Sequence, residues 1–279
     1  MLLLDARHRA DDDDHDDHGG LHRDLSATGA AIDRRRMLRM AARFGATLGA
    51  MQFAGCSADA STLTASDSSS GNCVSRVPEE TAGPYPGDSS NGPNVLNQAG
   101  VVRNDIRSSF AGLSGSAAGV PLQLALTLVS ASTCTPLSDY AVYLWHCDAA
   151  GNYSLYSSGF TNQNWLRGVQ AADANGVVRF TSIYPGCYSG RWPHIHFEVY
   201  RNLTAATAVS NKIATSQIAL PLSANNLVYA TSLYTSSARN QAQITLAGDM
   251  VFSDGASLEL ATVTGDVTAG MTAALTVAV

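Results

Sequence analysis

Pro121-Leu-Gln-Leu-Ala-Leu-Thr-Leu-Val129 places leucine at every second position from Leu122 to Leu128, with Gln123, Ala125 and Thr127 between them. Successive side chains of a strand point to opposite faces, so this spacing predicts a strand with one buried face. Further along, Ala141-Val-Tyr-Leu-Trp145 is short, apolar and aromatic, the composition of a second strand. Turn-forming clusters follow at Ala149-Ala-Gly-Asn152, Asp173-Ala-Asn-Gly176, Pro185-Gly186 and Ser253-Asp-Gly255. Many short strands joined by tight turns predict an all-β fold, a β-sandwich with long loops. Helical pieces should be short, with one expected around Ser223 to Ala230.

Upstream of these strands the composition changes. Residues 1–32 hold an acidic run with Asp11 to Asp14, His15, Asp16, Asp17 and His18, which cannot bury a core and is expected to be disordered. Metal binding by this tract and a misplaced start codon are both open readings of it. Residues 33–56 begin Asp33-Arg34-Arg35-Arg36-Met37-Leu38-Arg39 and continue into an alanine-rich apolar run from Met40 to Ala54. That run is too short for an ordinary membrane-spanning helix and reads as a twin-arginine export signal. Its end, Phe53-Ala54-Gly55-Cys56, is similar to a bacterial lipoprotein processing site, with Phe53 where leucine is usual. Cys56 is therefore expected to carry a lipid tether, with simple signal cleavage as the alternative. Residues 57–72, rich in Ser, Thr, Ala and Asp, read as a flexible linker, and the domain is expected to span 73–279.

With 279 residues and 45% apolar composition the chain can build a sizeable core. Charged residues make up 14%, the net charge is −6 and Lys212 is the sole lysine, so no basic surface for nucleic acid is evident. Setting Cys56 aside leaves Cys73, Cys134, Cys147 and Cys187, an even number in a chain expected to work outside the cytoplasm. Two disulfides are expected, with all three pairings open.

Of seven histidines, only His146, His194 and His196 lie in the body of the chain. His194 and His196 fall at i and i+2 in Arg191-Trp-Pro-His-Ile-His-Phe197, so on a strand they share a face with Cα atoms about 7 Å apart. Two histidines so placed suit one metal ion, although a surface pair would look the same. Tyr188, in Tyr184-Pro-Gly-Cys-Tyr-Ser-Gly-Arg191, sits in a loop whose glycines permit a tight turn toward that face. Tyr153 follows a strand and a glycine turn in Trp145-His-Cys-Asp-Ala-Ala-Gly-Asn-Tyr-Ser154.

Together, Trp145-His-Cys-Asp148, Gly151-Asn-Tyr-Ser154, Leu166-Arg-Gly-Val-Gln170, Asp173-Ala-Asn-Gly176, Pro185-Gly-Cys-Tyr188 and Arg191-Trp-Pro-His-Ile-His196 resemble the intradiol ring-cleavage dioxygenases. The likeness is to exported members related to protocatechuate 3,4-dioxygenase and runs from about Cys73 to the C-terminus, including Glu80-Thr-Ala-Gly-Pro-Tyr85 and Thr215-Ser-Gln-Ile218. It implies a ferric ion, Fe(3+), held by Tyr153, Tyr188, His194 and His196, and cleavage of a catechol by O2 to a cis,cis-muconate-type product. By the same resemblance Tyr188 leaves the metal to accept a substrate proton, and Arg191 stabilises the ketonised, electron-rich substrate. Tyr85, Trp165 and Gln170 become candidates to line the substrate cavity. Phenolate oxygens are hard donors that favour Fe(III), which fits this ligand set.

His146 receives no ligand role and is expected to be a hydrogen-bonded histidine, while Glu198 shares the parity of the histidine pair but is left out of the ligand set. The segment between Tyr188 and His194 is short compared with cytoplasmic relatives, which implies an open cavity and leaves the choice of catechol unread. A zinc hydrolase is disfavoured by the tyrosine pair. A non-catalytic exported β-sandwich that binds aromatic compounds or polysaccharide fragments is the alternative from another class. Oligomeric state is unread.

Overall fold

A computed structural model of the protein describes residues 73–279. The acidic extension, the export signal with Cys56 and the 57–72 linker expected from the sequence all lie outside the described residues.

Among the described residues eight strands run in chain order as β1 (Pro121–Val129), β2 (Ala141–Trp145), β3 (Arg167–Ala171), β4 (Val177–Ile183), β5 (His194–Tyr200), β6 (Lys212–Ala219), β7 (Thr262–Asp266) and β8 (Gly270–Ala278). They form two sheets, ordered β4-β1-β8-β7 and β3-β2-β5-β6. The β1–β8 pair is parallel and the other pairs are antiparallel. This is the expected all-β sandwich.

Its core follows from the leucine alternation. Leu122, Leu124, Leu126 and Leu128 are buried and meet Val178 and Phe180 of β4 and Met271, Ala273 and Val277 of β8. From the other sheet, Val142, Leu144, Ile195, Phe197, Val199 and Ile218 complete the same cluster. Burying each such side chain stabilises the fold by roughly 1.5–3 kcal/mol.

The second sheet is covered on its other face too. Ala141, Tyr143, Trp145, Val169 and Tyr200 pack there against Val95, Leu96, Val101 and Phe110, from the irregular segment that precedes β1. As a result every residue of β2 and β5 is buried. The polar members of β5, His194, His196, Glu198 and Tyr200, therefore point into a sheltered layer rather than into water.

Two short helices, α1 (Leu222–Tyr229) and α2 (Thr235–Gln241), follow β6. The first agrees with the expected helical piece to within one residue at each end. Pro221 stands at its N-cap, and Ala224 and Val228 join the core.

The cysteines correct the expectation of two disulfides. Cys73 and Cys134 are bonded across a sequence separation of 61, whereas Cys147 and Cys187 are free and buried. Each free thiol faces a carbonyl instead, Cys147 Sγ donating to Gly186 O at 3.5 Å and Cys187 Sγ to Arg191 O at 3.3 Å. Burial pushes both thiols up, Cys187 to about 12, so they stay protonated. An even count of cysteines does not reveal which of them the core encloses.

Candidate metal centre

The site lies on the covered outer face of the β3-β2-β5-β6 sheet. His194 and His196 share that face because they are two residues apart on β5, and His196 pairs with Trp145 of β2 on one side and Gln217 of β6 on the other. The indole of Trp145 stacks flat on the His196 ring, with centroids 5.0 Å apart and planes 3° from parallel. His194 is fixed differently. Its Nδ1 lies 2.5 Å from the Trp192 carbonyl, which can only accept, so the proton sits on Nδ1 and Nε2 carries the lone pair.

Both Nε2 atoms converge, 3.1 Å apart, and Tyr188 Oη stands 3.3 Å from that of His194. The Tyr153 ring meets Tyr188 edge-on at 5.8 Å and His196 at 6.4 Å. Tyr153, His194 and His196 are buried, while Tyr188 is half-buried. Burial, with Arg191 nearby, holds His194 well below the ordinary histidine range, and burial, His194, Arg191 and Arg167 do the same to His196. Both imidazoles are thus neutral donors.

Two glycines allow the loops to meet. Gly151 has φ +97°, and a Cβ there would lie 3.1 Å from Tyr188 Cβ and 3.3 Å from its Cα. Gly186 lets its loop pass the Asp148 and Ala149 carbonyls, which a Cβ would meet at 2.5 and 2.8 Å. The turn that carries Tyr153 and the loop that carries Tyr188 can approach this closely only because both lack side chains at the crossing.

Arg191 is fully buried beside them. Its Nε donates to Asp249 Oδ2 at 2.9 Å, its Nη2 to Gln217 Oε1 at 2.6 Å and its Nη1 to Tyr188 Oη at 3.4 Å. Asp249 Oδ2 also accepts the Trp192 amide at 2.6 Å, and Gln217 is held in turn by its Nε2 donating to Thr81 O at 2.9 Å. Gln217 belongs to a stretch that takes part in the family resemblance, but its sequence context gave it no role. Asp249 lies 58 residues beyond Arg191 with no local pattern to mark it.

Tyr85 packs on Tyr153, with ring centroids 4.9 Å apart, at the edge of the cluster. Trp165 and Gln170 are not brought there. Trp165 packs with Phe160, Leu166 and Ile183, and its Nε1 donates to Gln163 Oε1 at 2.6 Å. Gln170 pairs with Val142 on β3, so strand alternation gives it Val142's inter-sheet face rather than the face of the histidines. His146 is hydrogen-bonded, Nε2 to Ser182 Oγ at 2.7 Å and Nδ1 to Cys147 O at 2.8 Å. Glu198 is occupied by Tyr200 Oη at 2.6 Å and Lys212 Nζ at 3.1 Å.

These donors fit a single ion. Two nitrogen or oxygen ligands at about 2.0–2.2 Å from one metal and at right angles to each other are separated by about 3 Å, close to the spacings of His194, His196 and Tyr188. Among the described residues no group of three or more His, Cys, Asp and Glu could hold a metal, so the further donors in reach of the histidine pair are phenols. Phenols beside imidazoles favour a hard, highly charged cation over zinc.

A family model described as "Dioxygenase" matches residues 91–219. The curated proteins give no match. Among solved structures, an intradiol ring-cleavage dioxygenase from Tetranychus urticae shares the fold with a TM-score of 0.59 and 24% identity, covering 74% of this chain and 94% of that one. A 3-chlorocatechol 1,2-dioxygenase from Rhodococcus opacus 1CP matches with a TM-score of 0.45 and 15% identity, over 72% of this chain and 71% of its own.

Proposed function

We propose that the chain is an intradiol ring-cleavage dioxygenase, a reading supported by the dioxygenase family model that matches residues 91–219, and that Tyr153, Tyr188, His194 and His196 hold a ferric ion at which a catechol-type diphenol is opened by O2 between its hydroxyl groups. The supporting observation is that His196 Nε2 and Tyr188 Oη lie 3.1 and 3.3 Å from His194 Nε2, beside the buried Tyr153. A ferric ion bound there supplies Lewis acidity and keeps the phenols, ordinarily of pKa about 10, ionised near neutrality.

The chain's own groups divide the remaining work. Tyr153 and the histidines are buried and fixed, His194 by the Trp192 carbonyl and His196 by the Trp145 indole. Tyr188 is more accessible, and its Oη receives the Arg191 Nη1–H. It is the phenol placed to give way to an entering substrate and hold its proton. Arg191, locked by Asp249 and Gln217, presents a fixed positive group toward the same position, where it stabilises negative charge as it develops on the substrate. Tyr85 packs on the Tyr153 ring at the edge of the site.

Export by the twin-arginine route and a lipid tether at Cys56 belong to the same reading. The Cys73–Cys134 bond supports an oxidising compartment. Cell fractionation tests this part, and Cys56→Ala should release the protein from the membrane fraction.

Iron content and the visible spectrum test the site. We expect about one iron per chain, a tyrosinate-to-iron absorption that moves to longer wavelength when catechol is added without air, and O2 uptake once air is admitted. A protein that stays colourless after ferric reconstitution would sink the ligand assignment.

A further inference from the structure

Arg167 opens β3 and is almost wholly buried, yet its hydrogen bonds run to neutral oxygens. Nε donates to Ser154 Oγ at 3.1 Å. Nη1 donates to Pro86 O at 2.7 Å and Tyr143 Oη at 3.2 Å, and Nη2 to Tyr85 O at 2.9 Å and Ser154 O at 3.0 Å. Removing a guanidinium from water is costly, and an apolar side chain of similar size would fill the space without that cost. Stability alone therefore does not account for an arginine here.

The planar fork does something no apolar residue can. It grips two segments distant in sequence, the Tyr85–Pro86 strap and the backbone and side chain of Ser154. Tyr85 of the strap and Tyr153, the residue before Ser154, meet directly, their ring centroids 4.9 Å apart. Other features fix the fork itself. Gly87, at φ +67°, passes so close that a Cβ would lie 2.8 Å from Nη1, and the Tyr156 ring lies under the guanidinium at 5.5 Å while its Oη accepts the Gly87 amide at 2.9 Å. A lysine, with one nitrogen, cannot reach both segments in this geometry.

Resting on the ligand set proposed above, we infer that Arg167 is a positioning residue that aims the Tyr153 phenol at the histidine pair by clamping Ser154 to the Tyr85–Pro86 strap. Its hydrogen bonds reach none of the four proposed ligand side chains, and it acts through the backbone beside the two rings.

The test compares Arg167→Lys and Ser154→Ala with Phe180→Leu, a core change in the opposite sheet that lowers stability without touching the clamp. Visible absorption and turnover are read on the iron-loaded protein, and hydrogen exchange of residues 83–92 and 151–157 on the metal-free one. Arg167→Lys should shift the charge-transfer band, lower kcat about tenfold or more with a smaller change in KM, and speed exchange in both segments together. Ser154→Ala should move the band in the same direction by less, and it carries the test if Arg167→Lys fails to fold. Phe180→Leu should lower Tm and leave the band in place. The inference is overturned if neither clamp variant moves the band or the paired exchange, or if Phe180→Leu moves the band equally. Should the wild-type protein bind no iron, the ligand reading fails by itself, and exchange decides the clamp: joint acceleration supports it, and acceleration of one segment or neither overturns it.

Discussion

In the β4-β1-β8-β7 sheet, β1 turns Leu122 to Leu128 inward and leaves Pro121 and Gln123 in water, so burial tracks polarity residue by residue. In the β3-β2-β5-β6 sheet, β5 is buried throughout although it carries two histidines and a glutamate, because the segment from Val95 to Phe110 closes its second face. Both sheets contribute to the core between them, and the second also shelters polar groups in a layer of low dielectric on its other face. Electrostatic interactions count for more in such a layer than in water, so it suits the ligand set proposed above. The separation of tasks can be broken from either side.

The largest effect is expected on the sheltered side. His196→Ala should abolish iron uptake and lower O2 consumption at least about 10³-fold, equivalent to roughly 4 kcal/mol of transition-state stabilisation. Metal analysis and oxygen-electrode rates check this. The metal-free variant should still fold, since the change removes a ring from the covered layer and leaves the leucine core intact.

Leu124→Ala is the mirror image. It empties a fully packed position between the sheets and should cost about 2–5 kcal/mol in urea unfolding. In whatever fraction stays folded, kcat should remain within about twofold of wild type, because the contacts of Leu124 are on the face opposite the site. A parallel collapse of kcat would mean that the two sheets are not separable in function.

Asp249→Asn tests the seam between the sheltered face and the late loops. It leaves the Arg191 guanidinium buried with the Asp249 carboxylate neutralised, a change that costs about 3 kcal/mol for such pairs. Turnover should fall about 10-fold to 100-fold, chiefly in kcat, because Arg191 loses the group that aims it at Tyr188. Steady-state kinetics beside a denaturation curve separates the two effects.

The contrast between the sheets also explains what could be read from the sequence. The leucine alternation of β1 sufficed for the sandwich, and the i, i+2 spacing of His194 and His196 sufficed for a shared face, because strand period is a local property. Family resemblance supplied Tyr153 and Tyr188 as partners, and the structure brings both beside the histidines. Whatever depends on distant segments was hidden. Nothing near Val95 or Phe110 marks them as the cover of a sheet, and Asp249 and Gln217 reach Arg191 from separate parts of the chain. Gln170 shows the reverse failure: a family motif suggested substrate contact, but its pairing with Val142 gives it the other face. Cys147 and Cys187 depart from the pairing that an even count implies for the same reason, since burial against carbonyls is a tertiary fact.

His146 joins the two sheets through side chains, and its effect should be the mildest at neutral pH. It follows β2 in one sheet and reaches Ser182 of β4 in the other, with Nε2 accepting from the hydroxyl because Nδ1 donates its proton to the Cys147 carbonyl. Burial lowers its pKa from the ordinary 6.5 to about 4. Between these values the unfolded chain binds a proton that the folded chain refuses, so the stabilising contribution is complete above about pH 6.5, declines as pH falls toward 4, and changes no further below that. The decline amounts to roughly 3 kcal/mol for a shift of this size. His194 and His196 are depressed in the same direction in the metal-free protein, so the total slope belongs to all three. His146→Gln isolates one share: urea unfolding of metal-free wild type and variant at pH 7 and pH 4.5 should show the variant losing about 2 kcal/mol less across the interval. Equal losses would mean that the imidazole is already protonated in the folded state, and that the Ser182 contact joins the sheets as a charged hydrogen bond.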